Sequence, residues 1–278
     1  MAQDGKWIRW EPNAGTIQSS LDRVILYPEG FVKGFMEELM KSGGKALVQM
    51  LVNDMGKEFG TNLTEGGEFS WDDFEDALDG PVAAFDTVEG RPGAFDWDGR
   101  TRRLSYNGVL AVKLWPVGVV RSLKASANRV LTTRGAGALL GQASRKAGRM
   151  MGEMLEKTFT TDSDDTLFAA VAEIIPAVSR DLGWGSVAVS VDPGSRLIGF
   201  TIRNSFEVEA GGTDAELTII RNQIEGFWEH LNGRAGFTSR SREFTPGNET
   251  DARLVVLALS EANREIDWNS IEWKRLVS

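Results

Sequence analysis

Two residue types that carry much of protein chemistry are nearly missing from this chain. It has no cysteine and a single histidine, His230. Cysteine nucleophiles, thiolate zinc sites, iron–sulfur clusters and disulfide scaffolds are excluded by that count. So is any metal site built from several histidines. His230 falls near the end of a helical stretch, beside Trp228 and before Gly233. It offers haem ligation or titration near neutral pH; the plainer reading is a helix-end residue whose charged form the helix dipole favours. Carboxylates cluster at Asp72, Asp73, Glu75 and Asp76, and again at Asp162, Asp164 and Asp165. Neither cluster has the alternating ligands and sixth-place glycine of an EF-hand loop, and both suit solvated helix starts. Arg234 to Arg242 is a small basic run, read as charge balance. There is no Gly-x-Ser-x-Gly and no Gly-Lys-Ser/Thr phosphate loop. Gly135-Ala-Gly137 fails as a dinucleotide fingerprint, because Leu140 stands where the third glycine belongs. These residues supply no catalytic constellation and no metal site.

The remaining candidates are apolar. Met150, Met151 and Met154 are flexible side chains suited to an adaptable pocket. Trp184, Phe200, Phe206, Phe227 and Trp228 are rings that would line an aromatic cavity. The candidate ligand pocket is therefore Met150, Met154, Trp184, Phe200, Phe206, Phe227 and Trp228, with ordinary core packing as the plainer reading. Gly137, Gly141, Ser144, Gly148 and Gly152 step by three or four, so they share one helix face. Each glycine costs a helix about 1 kcal/mol relative to alanine, so four on one face need a packing reason. That reason is close approach of another helix, from the same chain or from a second subunit, and a homodimer is expected. Arg145, Lys146 and Arg149 interrupt the segment and argue against membrane insertion.

These candidates need elements to hold them. Arg23 to Tyr27 reads as a strand closed by Pro28. Phe31, Phe35 and Leu39 have helical spacing, Gly43-Gly44 breaks the helix, and a second helix runs through Leu47, Leu51 and Phe59. A short acidic helix is expected over Trp71 to Leu78. Asp98-Gly99 marks a hairpin. The second half begins at Arg129-Val-Leu131, with helices expected over 135–157, 165–182 (kinked at Pro176) and 215–231. Strands are expected over 187–191, 197–208, 237–244 and 252–259. The halves echo one another: Arg-Val begins each, Gly-x-x-x-Gly recurs at Gly56/Gly60 and Gly148/Gly152, and LSYNGVLAV from Leu104 parallels FTIRNSFEV from Phe200. The reading is a partial repeat over 1–118 and a complete unit over 119–278, joined between about 115 and 125.

The chain has 278 residues, enough to bury a core without disulfides or metals. With 31 basic and 40 acidic residues its net charge is −9, which weighs against nucleic acid and anionic membrane surfaces as partners. No apolar run is long enough to span a bilayer, and the opening residues do not form a secretory signal. A cytoplasmic protein is expected.

The second half resembles the 4-vinyl reductase domain family, also called the hydrocarbon-binding domain, which is related to subunits of the TRAPP vesicle-tethering complex. The resemblance covers about residues 125–260. It rests on Gly148-Arg-Met-Met-Gly152, Leu182-Gly-Trp-Gly185, Asn204-Ser-Phe-Glu207, Gly226-Phe-Trp-Glu-His-Leu-Asn-Gly233 and Glu243-Phe-Thr-Pro-Gly-Asn248. It implies an α/β (α+β) fold, an antiparallel sheet packed against helices. Many family members carry cysteines around the last hairpin and resemble zinc binders; here Glu243, Thr245 and Asp251 stand in that region, and zinc is not expected. The resemblance implies a non-enzymatic binding or regulatory protein for a small hydrophobic or aromatic ligand, with a tetrapyrrole among the candidates. The alternatives are a dimeric assembly protein and a vinyl-reductase-type accessory protein.

Overall fold

The computed structural model of the chain describes residues 8–19, 22–65, 95–98, 100–101, 103–108, 110–158, 175–192, 196–211, 216–233, 237–244, 252–261, 265–272 and 276. The chain opens with β1 (Ile8–Glu11), β2 (Thr16–Ser19) and β3 (Arg23–Pro28), followed by α1 (Glu29–Glu65). Strands β4 (Phe95–Asp98), β5 (Arg103–Tyr106) and β6 (Leu110–Pro116) complete a first sheet in the order β1-β2-β3-β6-β5-β4. Helices α2 (Val117–Val130) and α3 (Thr133–Thr158) come next, and residues 175–181 form helix α4. The rest is β7 (Ser186–Asp192), β8 (Leu197–Arg203), α5 (Phe206–Gly211), α6 (Thr218–Gly233), β9 (Phe237–Phe244) and β10 (Arg253–Glu261). A second sheet has the order β7-β8-β10-β9, and its pairings, like those of the first, are antiparallel. This is the expected fold class, antiparallel sheets packed against helices.

Local sequence accounts for the elements. Gly44 breaks α1 with φ 76 and ψ 160, a conformation glycine reaches without strain. Asn107 and Gly108 both have positive φ, 52 and 69, within the three-residue loop between Tyr106 and Leu110, which pair across β5 and β6. In β10, Val255 and Leu257 join the main core, while Leu254, Val256 and Ala258 pack on the opposite side with Leu276. The strand is covered on both faces, so it reads as a continuous apolar run rather than an alternating one.

Parts of the expected internal echo fold differently. Arg23-Val24 lies in β3, whereas Arg129-Val130 ends helix α2. Leu104 to Val112 forms a hairpin, whereas the run from Phe200 leaves β8 at Asn204 and turns into α5. Gly108 takes a second positive φ after Asn107, and the chain returns as β6. Serine after Asn204 caps a helix instead, its Oγ accepting from the Glu207 N–H at 3.2 Å. Phe206, expected on a strand, therefore starts α5. The acidic helix at 71–78 and the first part of the one at 165–182 lie outside the described residues.

Both halves share one core. Residues 115–125 form the end of β6 and the start of α2, and a single buried apolar cluster runs from Trp10 to Leu257. β3 is tied to the chain before β7. The Leu26 N–H donates to the Leu182 carbonyl at 2.9 Å, and Trp184 Nε1 donates to the Leu26 carbonyl at 2.8 Å. Arg23, 4% exposed, donates to Glu209 and to the carbonyls of Gly183 and Asn204. Among the described residues no helix is long and apolar enough to cross a membrane.

Candidate functional site

The site is framed by α3 and α6, which cross at glycines. A Cβ placed on Gly148 would strike the Gln223 carbonyl, and one on Gly226 would strike the Arg145 carbonyl. Main chain therefore meets main chain at the crossing, as small residues permit. Polar anchors also hold α6. The fully buried Glu207 accepts from the Ile219 and Ile220 N–H groups at 2.8 and 2.9 Å and pairs with Lys124 at 3.1 Å. These are the N–H groups that a helix start leaves without intrahelical partners. Glu225 accepts from the Ser241 hydroxyl at 2.6 Å and pairs with Arg145 at 2.9 Å. Glu229 pairs with Arg145 and Arg149, both at 2.7 Å. Burial would raise the Glu229 carboxyl, but the hydrogen bonds and charges of the two arginines outweigh it and hold it below its ordinary value.

Beside this crossing lies a cavity of about 80 Å³ with an almost wholly apolar wall. Helix α6 contributes Ile220, Gln223, Ile224, Phe227 and Trp228, a stripe at helical spacing. Helix α4 contributes Ile175, Val178 and Ser179, and α3 contributes Met151. Trp184, Val187 and Ile202 close the remaining side; Val187 and Ile202 are direct partners across β7 and β8. A water needs roughly 10–15 Å³ of such space, so the cavity holds several times that.

One polar side chain stands out in this wall. Gln223 is 4% exposed; its Nε2 donates to the Met151 thioether at 3.0 Å, and its Oε1 finds no hydrogen-bond partner among the described residues. A buried acceptor left in that state costs about 1–3 kcal/mol.

The structure brings three of the seven expected pocket residues to the cavity wall: Trp184, Phe227 and Trp228. Met150 is not among them. It sits against α1, where a Cβ on Gly34 would strike its sulfur, and its neighbour Met151 reaches the cavity instead. Consecutive helix positions point about 100° apart, so one step moves a side chain to another neighbour. Phe200 and Phe206 are fully buried core residues outside the wall; Phe206 meets Tyr27 edge-on at 6.0 Å. The Met154 side chain lies outside the described residues. Of the glycine stripe, Gly141 faces the Asn222 side chain, Gly148 the α6 main chain and Gly152 the His230 side chain. Those three positions are occupied by α6 of the same chain, so a second subunit cannot use them. Gly137 has nothing within 4 Å.

Other polar groups are engaged structurally. Glu243 accepts from the Leu217 N–H at 2.8 Å and pairs with Arg253 at 3.3 Å. Thr245, Asp251 and both acidic clusters lie outside the described residues. Tyr106 donates to Asp181 at 2.9 Å; burial, that hydrogen bond and the carboxylate's charge push its phenol up. Burial and the Glu207 charge push the Tyr27 phenol up as well. Neither can act as a base near neutral pH. No group of three or more metal-ligating side chains is poised together among the described residues.

No family model matches the chain, and no curated protein matches it. Solved structures do resemble it distantly. One is the phenol-responsive sensory domain of the transcription activator PoxR with phenol, at 16% identity over 68% of this chain and 92% of that one, with a TM-score of 0.43. Another is the Fe(II) unliganded H-NOX protein from K. algicida, at 8% identity over 86% of this chain and all of that one, with a TM-score of 0.41.

Proposed function

We propose that the protein is a binding module for a small apolar molecule, held between α3, α4 and α6 and the β7–β8 edge of the second sheet. The observation that carries this reading is the framed cavity of about 80 Å³. Its wall is apolar with a few polar groups, the usual make-up of small-molecule sites. The helices beside it already touch through their main chains at Gly148 and Gly226, so the space cannot close by moving them together. The size is far too small for a four-ring tetrapyrrole and favours a molecule no larger than a single ring. Binding would refill the void, and occupancy would be felt by Trp184, which is bonded to β3 in the other half of the chain. That link is a route by which a bound molecule would alter the rest of the protein, as a regulatory module requires. The sequence motifs resembling the 4-vinyl reductase domain support the same class of ligand.

The test is native mass spectrometry of protein purified from its own host, together with thermal melts in the presence of single-ring aromatics. Trp184 and Trp228 in the wall make intrinsic fluorescence a second readout. A retained small molecule, or a saturable rise in Tm with a fluorescence change, is the expected result. Protein that carries nothing and responds to no compound would overturn the reading.

A further inference from the structure

We propose that the first sheet positions one wall of the cavity, and that Trp10 and Tyr106 are positioning residues for ligand binding although neither lines the space. This rests on the binding reading above and adds a second set of residues to the same site. Five of the twelve wall residues, Ile175, Val178, Ser179, Trp184 and Val187, lie on one short stretch of chain: α4, the turn after it and the start of β7. That helix ends in a Schellman turn. Gly183 has φ 77 and its N–H donates to the Arg180 carbonyl at 3.1 Å, while the Trp184 N–H donates to the Ser179 carbonyl at 2.9 Å. The turn thereby ties Ser179 to Trp184, and both belong to the wall.

The last carbonyls of a helix have no partner within it, and here the first sheet takes them. The Asp181 carbonyl accepts from Trp10 Nε1 of β1 at 3.0 Å. The Leu182 carbonyl accepts from the Leu26 N–H of β3, and the Gly183 carbonyl from the Arg23 guanidinium, both at 2.9 Å. Tyr106 of β5 adds a further bond, its hydroxyl donating to the Asp181 carboxylate at 2.9 Å. Trp184 Nε1 then donates to the Leu26 carbonyl at 2.8 Å, and the Gly185 N–H to the Gly15 carbonyl at 2.9 Å. Residues 181–185 are thus each bonded to the first sheet or to its β1–β2 turn. The fit leaves no slack, since a Cβ on Gly183 would strike Ile17 and the Val24 carbonyl. Trp10, Tyr106 and Asp181 are all buried, so removing either donor leaves an acceptor without its partner and loosens the turn where two wall residues meet. By linkage the effect runs both ways: a guest that favours the clasped arrangement makes the clasp harder to open.

The experiment uses benzene as the probe, with Trp10→Phe and Tyr106→Phe made in the full chain. Each change removes one donor and keeps a ring beside Phe95, which both side chains contact. Val48→Thr is the control. Val48 is buried on α1 outside the wall, and the added hydroxyl destabilises without opening a void. Binding is measured by calorimetry well below the Tm of each protein, so that folded molecules are compared. Both Phe variants are expected to bind benzene about threefold or more weakly than the parent, while Val48→Thr binds as the parent does. In the parent, benzene is expected to slow hydrogen exchange of the Leu26 amide more than that of buried amides on α1, although Leu26 lies outside the wall. Equal binding by the parent and the two Phe variants, whatever their Tm, overturns the inference and leaves the binding reading standing. Equal weakening by Val48→Thr overturns it as well, because the loss would then follow general stability. A parent that takes up no benzene overturns the binding reading and this inference with it.

Discussion

The two sides of helix α6 are packed on opposite principles. On one, Gly148 and Gly226 let the main chains of α3 and α6 lie against each other. On the other, large side chains line a space they do not fill. The closed side explains the open one. A void between ordinary side chains shrinks as neighbouring elements settle inward, which is why the cost of removing buried atoms varies so much from site to site. Here α6 has no further to move toward α3. Glu207 fixes its first turn, and Glu225 ties its middle to β9 through Ser241. The cavity is the space left when a helix is held in place by contacts made elsewhere.

The strongest way to break this contrast is to force the closed side apart. Gly148→Ala or Gly226→Ala places a methyl group on a carbonyl of the facing helix, where no side chain can swing away. The expected loss is about 3 kcal/mol, the upper end of ordinary overpacking costs, read from urea melts. Ligand response should fall with it, because the frame is displaced. Gly137 is the control. It lies on the same stripe with nothing within 4 Å, so Gly137→Ala should gain up to about 1 kcal/mol from helix propensity. Equal effects at the three sites would mean that the crossing is not where α6 is held.

A gentler probe adds bulk to each side. Ala147 is fully buried on α3, and Ala147→Leu should cost about 1–3 kcal/mol. Ile224 is half-buried on the cavity wall, and Ile224→Phe should stay within about 1 kcal/mol of the parent while abolishing the fluorescence response to added aromatics. If Ile224→Phe costs as much as Ala147→Leu, the space is not available to a guest.

The fold was largely legible because it depends on local signals. Gly43-Gly44 broke α1 where glycine was needed, and the apolar spacing located α3 and α6. The strings that echo one another fold apart: the chain turns back as a hairpin after Asn107-Gly108 and enters α5 after Asn204-Ser205. The site was legible only in part. Trp184, Phe227 and Trp228 could be picked out as rings in the right region. Met150, Met151 and Met154 all suit a pocket by type, and spacing alone does not say that Met151 is the one facing it. Val187 and Ile202 face one another through strand register, which no single stretch of sequence displays.

The smallest expected effect concerns the charges on the polar side of α6. Arg145 and Arg149 hold the Glu229 carboxyl below its ordinary value of 4.5, against the opposing push of burial. A carboxylate whose pKa is lower in the folded than in the unfolded chain stabilises the fold above its unfolded pKa. That contribution is lost as the pH falls from about 4.5 through the depressed folded value. Asp22 and Glu243 work the other way, since burial raises both carboxyls and outweighs the bonds and charges that lower them. The total pH profile is therefore a sum of opposed parts, and the Glu229 part must be read as a difference. Glu229→Gln should be less stable than the parent near pH 7, with the gap closing as the pH falls below about 4.5 in denaturant melts. The half-exposed guanidinium of Arg149 is partly screened by solvent, which keeps this difference small. A gap that stays constant across that range would show that the arginines hold α6 by packing rather than by charge, leaving the glycine crossing as the main contact that frames the cavity.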